Sequence, residues 1–171
     1  MRRGSRRLNR SHQGGFTYFG VIIAVLLIGM ALAAAGVVAR TAMQREREAQ
    51  LLWVGAQYRN ALPKFFNQNG GRLPQDLKEL VLDESTPVPR HFIRKLYADP
   101  MTGTDNWQLL TLPGGGIYGV ASSSNGTPLK LKNFPDIDKA FEDATCYRAW
   151  EFSVQSRRLP IPIVTATNVC Q

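Results

Sequence analysis

Histidine is nearly absent from this chain. Only His12 and His91 occur in 171 residues, together with two cysteines, Cys146 and Cys170. So few ligands exclude a zinc cluster of the usual Cys/His spacing. There is no nucleophile-elbow motif and no P-loop. The glycine triplet at residues 114–116 is followed by neither a helical pattern nor a lysine, so it reads as a turn and not as a phosphate cradle. His91, beside Arg90, reads as a surface residue. The sequence offers no constellation for catalysis, and the chain is expected not to be an enzyme.

Charge is missing in one place and crowded in another. Residues 16–39 are 24 positions without a charged side chain, and Arg2, Arg3, Arg6, Arg7 and Arg10 lie just before them. The chain carries a net charge of +8, from 21 basic and 13 acidic residues. Without the first 15 residues, 16 basic residues face 13 acidic ones, a net of +3. The basic character is therefore mainly a topology signal. No run of Lys/Arg interleaved with aromatics follows, and no nucleic-acid partner is predicted. The patch "QREREAQ" reads as a solvated collar where a helix leaves the bilayer.

At ~1.5 Å per residue, residues 16–39 would form a helix of about 36 Å, enough for a ~30 Å hydrocarbon core with some tilt. Their polar side chains, Thr17 and Tyr18, sit at the start, where an interface is expected. The arginines hold the N-terminus in the cytoplasm and send the rest across. Three fates are open to such a segment: a signal peptide cut near Ala33–Ala35, an uncut signal anchor, or a leader cut before a retained membrane helix. The run exceeds the ~7–15 residues of an ordinary signal-peptide core, which counts against the first.

Helical periodicity continues beyond the membrane segment. Leu51, Val54, Gly55, Tyr58, Ala61, Leu62 and Phe65 or Phe66 form a stripe, and Gln44, Arg45, Glu48, Gln57 and Arg59 fall largely on other faces. Pro63 is expected to end or kink the helix nearby, and "NQNGG" supplies a stop near Asn67. Such a helix would run roughly 75–80 Å.

About a hundred residues remain for a single small head. "LPQDLKELVLD" reads as a short helix with Pro74 near its start and Leu77, Leu80 and Val81 facing in. Residues 85–105 read as a loop holding a short helix and a turn at Asp99-Pro100. "NWQLLTL" and "GIYGVASS" read as strands joined through "PGGG". "NFPDIDKAFEDA" reads as a helical turn. "CYRAWEFSV" alternates as a strand, with Cys146, Trp150, Phe152 and Val154 on one side, interrupted there by Arg148. The tail from Arg157 onward, "RRLPIPIVTATNVCQ", is broken by prolines and expected to be extended. The fold class is α+β: a long N-terminal helix, transmembrane in its first half, packed on a small antiparallel sheet.

"QGGFTYFGVIIAVLLIGMALAAAGVVAR" resembles the N-terminal signature of type IV pilins and type II secretion pseudopilins. In that family a prepilin peptidase cuts after a glycine, and the new terminal residue is N-methylated. The resemblance implies cleavage between Gly15 and Phe16, methylation of Phe16, and fibre packing along Gly20, Gly29 and Gly36. "FFNQNGGRLPQDLKELV" followed by "LYADPMTGTDNWQLL" is similar to the major-pseudopilin head. The implied domains are a leader at 1–15, a transmembrane helix at 16–39, its periplasmic continuation at 40–67 and a head with C-terminal tail at 68–171. The implied place is the bacterial inner membrane, single-pass, with the head periplasmic. The implied partners are other pilin-like subunits, the prepilin peptidase, an inner-membrane assembly platform and membrane lipid.

Two positions depart from the family. Gly20 stands where the family has Glu at the fifth mature position, and Val37 stands where it often has Pro. A carboxylate at a bilayer centre costs on the order of 2.5–3.5 kcal/mol, and pilins retain theirs to neutralise the amine of the subunit ahead. A subunit without it fits the first place in a fibre, but a degenerate position in a divergent paralogue fits equally. The function implied is a minor or initiating subunit of a secretion pseudopilus. The alternatives are a minor pilin of a type IV pilus and a signal-anchored periplasmic binding domain that never polymerises.

Some heads of this family bind calcium through a late acidic loop. Asp136, Asp138, Glu142 and Asp143 are candidates by proximity, without EF-hand spacing, and a solvated helix face is the plainer reading; no metal and no other cofactor is expected. Cys146 and Cys170 fall on the oxidising side, where a bridge is permitted. It would stabilise the head by roughly 3–4 kcal/mol through loop-closure entropy. The alternative is a buried thiol at Cys146 and a frayed one at Cys170. Many pilins close a C-terminal loop in this way.

Overall fold

The computed structural model describes residues 14–154 and Cys170. Residues 1–13 of the expected leader and, Cys170 apart, the expected extended tail lie outside the described residues. Within them the order is a helix α1 (Gly14–Gln68), a short helix α2 (Lys78–Val81), strands β1 (Gln108–Thr111) and β2 (Ile117–Ala121), 3-10 helices at Asp136–Phe141 and Tyr147–Ala149, and strand β3 (Glu151–Ser153). The chain divides into two compact units, residues 1–42 and 43–171.

The first unit holds the N-terminal part of α1. Every described side chain from Thr17 to Ala39 is exposed. The helix is long and apolar enough to cross a membrane. Thr41 Oγ1 donates back to the Val37 carbonyl at 3.1 Å, so a polar group within this helix is satisfied locally.

The second unit begins with the rest of α1. Leu51, Val54, Tyr58, Ala61, Leu62 and Phe65 are buried along one face, as their spacing requires. Pro63 does not stop the helix, which runs to Gln68. The stop is made by backbone geometry instead. The Gly71 N–H reaches back to the Phe66 carbonyl at 2.9 Å, and the Asn69 N–H to that of Phe65 at 3.0 Å. Gly70 and Gly71 have φ of 63° and 88°, the left-handed conformation that a glycine adopts without Cβ conflict.

The sheet has order β1-β2-β3 and is antiparallel throughout. β2 is central and entirely buried, which explains its unbroken apolar composition. The expected hairpin forms. The Leu112 N–H donates to Gly116 O at 3.1 Å, and the Gly115 N–H to Leu112 O at 2.9 Å. Residues of α1, β2 and β3 share one core with Trp107, Phe134, Phe141, Tyr147 and Trp150. The long helix thus packs on a small antiparallel sheet, as expected.

Three local expectations are corrected. "CYRAWEFSV" is not one strand. Residues 147–149 form a 3-10 turn, with the Ala149 N–H on Cys146 O and the Trp150 N–H on Tyr147 O. The turn sets the Tyr147 and Trp150 rings edge to face at 5.4 Å, a contact that a regular strand would not make. Cys146, Trp150, Phe152 and Val154 are nevertheless all buried. No helix forms between residues 84 and 98, where an Asp83–Arg90 bridge closes the loop instead. Glu48 and Arg59, expected on outer faces, are buried because each meets a charged or polar partner from the head.

Candidate functional site

Two groups of features bear on function: the open face of α1 and the fastenings that hold the head to its own helix. On the open face, Gly20, Gly29 and Gly36 have no atom within 4 Å of where a Cβ would stand. They leave shallow places on a surface with no covering residue from the described chain. Gly15 and Phe16 lie in the first turn of α1.

Cys146 and Cys170 are joined in a disulfide with Cα atoms 5.9 Å apart. Cys146 is buried, and the Thr145 hydroxyl donates to the Cys170 sulfur at 3.2 Å. The thiol alternative is thereby set aside.

The acidic residues named for calcium are not gathered into a cage. The Asp138 carboxylate is taken by Arg59 Nη1 at 2.6 Å in an ion pair with both side chains about nine-tenths buried. The Glu142 carboxylate lies against the Phe134 N–H at 3.5 Å. Among the described residues no group of three His, Cys, Asp or Glu side chains could hold a metal ion.

The fastenings were not foreseen. Glu48, only 3% exposed, accepts hydrogen bonds from the Leu129 and Lys130 N–H groups and, at 2.7 Å, from the Tyr147 hydroxyl. One turn earlier, Gln44 Nε2 donates to Tyr147 Oη at 2.8 Å and to Thr127 O at 3.0 Å. Burial pushes the Tyr147 phenol up to about 12, and the adjacent Glu48 charge adds to the rise while Gln44 opposes it. Gln44 and Glu48 precede Leu51 and Gly55 at spacings of four, three and four. They therefore continue the apolar stripe with polar residues, and that spacing was the signal available in the sequence.

A second fastening is steric. A Cβ on Gly55 would lie 2.4 Å from three ring carbons of Phe152, so β3 reaches the helix only because this position is glycine. Arg59, one turn on, stacks over the same ring with its guanidinium carbon 5.7 Å from the centroid.

Elsewhere, fully buried Asp99 accepts from the Ser122 hydroxyl at 2.8 Å, the Ser123 N–H at 3.2 Å and the Met101 N–H at 2.9 Å. It welds the turn before β1 to the segment after β2. Burial raises the Asp83 carboxyl, but hydrogen bonds from Ser85 and Asn69 and the charge of Arg72 outweigh it and hold the group below its ordinary value. The buried carboxylates Glu48, Asp83, Asp99 and Asp138 are all occupied in holding the fold.

Comparison with protein families, with curated proteins and with solved structures gave no match.

Proposed function

We propose that the chain is a structural subunit, minor or initiating, of a type II secretion pseudopilus or related pilus-like fibre. It sits in the inner membrane through the first part of α1, with the head on the periplasmic side. The observation that carries this reading is the open, uncharged surface of α1 from Thr17 to Ala39, directly behind a Gly-Phe junction and a five-arginine leader. In lipid, an apolar helix exposed along its length associates with others through close packing at small residues. Gly20, Gly29 and Gly36 supply such places.

The reading assigns no chemistry to the head and makes prepilin peptidase and an assembly platform the partners that process and load the subunit. The Gly20 position, lacking the carboxylate, fits the front of the fibre, where no earlier amine waits to be neutralised, and fits a degenerate position in a divergent minor subunit equally. Methylated Phe16 would still offer its own amine to the next subunit.

The test is the mass of the membrane-extracted chain from a host with an active prepilin peptidase. The expected product begins at Phe16 and carries one added methyl group; an unchanged full-length chain would overturn the proposal. A chain cut and methylated but dominant along isolated fibres would keep the family reading and remove the initiating role.

A further inference from the structure

The second unit carries a groove that none of the features above uses. A cavity of about 910 Å³ opens between α1 and the 94–105 loop, lined by Gln50, Trp53, Arg94, Lys95, Tyr97 and Pro100 among others. A second hollow of about 340 Å³, reaching Trp107 and Leu109, shares Leu96, Tyr97 and Asp105 with it. The two therefore adjoin along these residues and are together termed the trough.

The floor is pre-set. Trp53 is 55% exposed and meets the Tyr97 ring edge to face at 5.4 Å. Tyr97 is held by its backbone. Its N–H donates to Tyr58 Oη at 3.0 Å, and its carbonyl accepts from Trp107 Nε1 at 2.7 Å. Tyr58 and Trp107 are in edge contact at 5.4 Å beneath it. A large aromatic side chain left open on a rigid support is the usual anchor of a protein interface, because little conformational entropy is lost when it is covered.

The rim is cationic. Arg94 and Lys95 are exposed, and the ion pairs among the described residues are Arg59–Asp138 and Arg72–Glu79, which use neither. Lys95 Nζ stands 5.5 Å from the Tyr97 ring centroid. Of the three acidic residues on the trough, Asp99 is saturated by its three donors, which leaves Asp76 and Asp105 against the three cations Lys78, Arg94 and Lys95.

We infer that this trough docks an extended acidic segment of a partner protein. A bulky apolar side chain of that segment would lie on Trp53 and Tyr97, and its carboxylates would face Arg94 and Lys95. Two adjoining hollows suit successive side chains of an extended chain better than a compact ligand. The unpaired cations select negative charge, and the aromatic floor selects an apolar neighbour to it. The inference does not rest on the fibre reading and holds for an anchored domain that never polymerises.

The test uses the full chain in detergent micelles and three dye-labelled, amide-capped hexapeptides. They carry Phe-Glu-Glu, Phe-Lys-Lys or Ala-Glu-Glu at their centre, and binding is read by fluorescence anisotropy. The Phe-Glu-Glu peptide should bind saturably and about tenfold more tightly than either of the others. Trp53→Ala should abolish the preference for Phe. Arg94→Glu combined with Lys95→Glu should invert the preference between acidic and basic peptides, an outcome that loss of folding cannot mimic. Equal affinity for the three peptides, no saturable binding, or no response to charge reversal overturns the proposal. Displacement of the acidic peptide by phosphatidylglycerol added to the micelles would assign the trough to a lipid surface. Self-association of the chain in the micelles, lost on Trp53→Ala and inhibited by the Phe-Glu-Glu peptide, would assign it to a second copy. Either result overturns it.

Discussion

Gly55→Ala should destabilise the head, although alanine is the better helix former. The added Cβ would sit 2.4 Å from three carbons of the Phe152 ring, where carbon contacts normally stand at ~3.5–4.0 Å. The ring would have to retreat by more than about 1 Å. It is fully buried, between Phe141 at 5.1 Å on one hand and the Arg59 guanidinium at 5.7 Å on the other. Overpacking of this kind costs about 1–3 kcal/mol, against roughly 0.5–1 kcal/mol gained from helix propensity. The net expectation is a loss of about 0.5–2 kcal/mol. Phe152→Ala removes the ring carbons that the new methyl would strike, so Gly55→Ala in that background should be neutral or stabilising. The coupling between the two sites should be about 1–3 kcal/mol. Urea unfolding of the detergent-solubilised chain, followed by near-UV circular dichroism of Trp150 and its neighbours, measures all four corners of the cycle. Gly29→Ala, with no atom near its Cβ, serves as a control and should leave the transition in place. A Gly55→Ala chain as stable as the parent, or additive with Phe152→Ala, would refute the argument.

Reduction of the Cys146–Cys170 bridge, which spans a sequence separation of 24, should lower stability by roughly 3–4 kcal/mol, read as the shift in urea midpoint with and without dithiothreitol. Arg59→Met alone should cost about 3–5 kcal/mol because it strands the buried Asp138 carboxylate; adding Asp138→Leu should recover most of the loss, and failure to recover would show that the ion pair is not what the helix position needs. The Tyr147 phenol is raised in the folded state to about 12, so its neutral form contributes stability that is complete below the ordinary tyrosine range near pH 10 and is lost as pH rises toward 12. Glu48→Gln removes one of the causes of that rise and should move the Tyr147 titration down, which is observable by NMR of a ring-labelled chain.

Much of the fold was legible where the chain repeats a simple period. The stripe from Leu51 to Phe65 is one helix face, and each of its members is buried. The glycines after Asn69 and after Pro113 mark turns because few other residues take a positive φ. The bridge was legible as a possibility, since two cysteines allow only one pairing within the chain. What stayed hidden depends on partners distant in sequence. Glu48 and Arg59 carry polar side chains, so hydrophobic patterning puts them outside; their burial follows from Tyr147, 99 residues beyond Glu48, and Asp138, 79 residues beyond Arg59. Tyr147 itself alternates correctly for a strand, and only the aromatic neighbours and its hydroxyl's reach to Glu48 explain the turn. Gly55 could be placed in the stripe, but its being glycine makes sense only against Phe152.

The fastenings along α1 also have a mechanical consequence. Glu48 grips the 129–130 backbone, Gly55 admits Phe152 of β3, and Arg59 holds Asp138 of the first 3-10 helix. From Glu48 to Arg59 is about 16 Å along the helix axis. A pull directed along that axis loads the three attachments side by side, in shear, so they must fail together. A pull on β3 away from the helix loads them one after another, as a zip. The same head should therefore resist a much larger force along α1 than across it, and single-molecule pulling from the two directions should give rupture forces that differ although the contacts broken are the same.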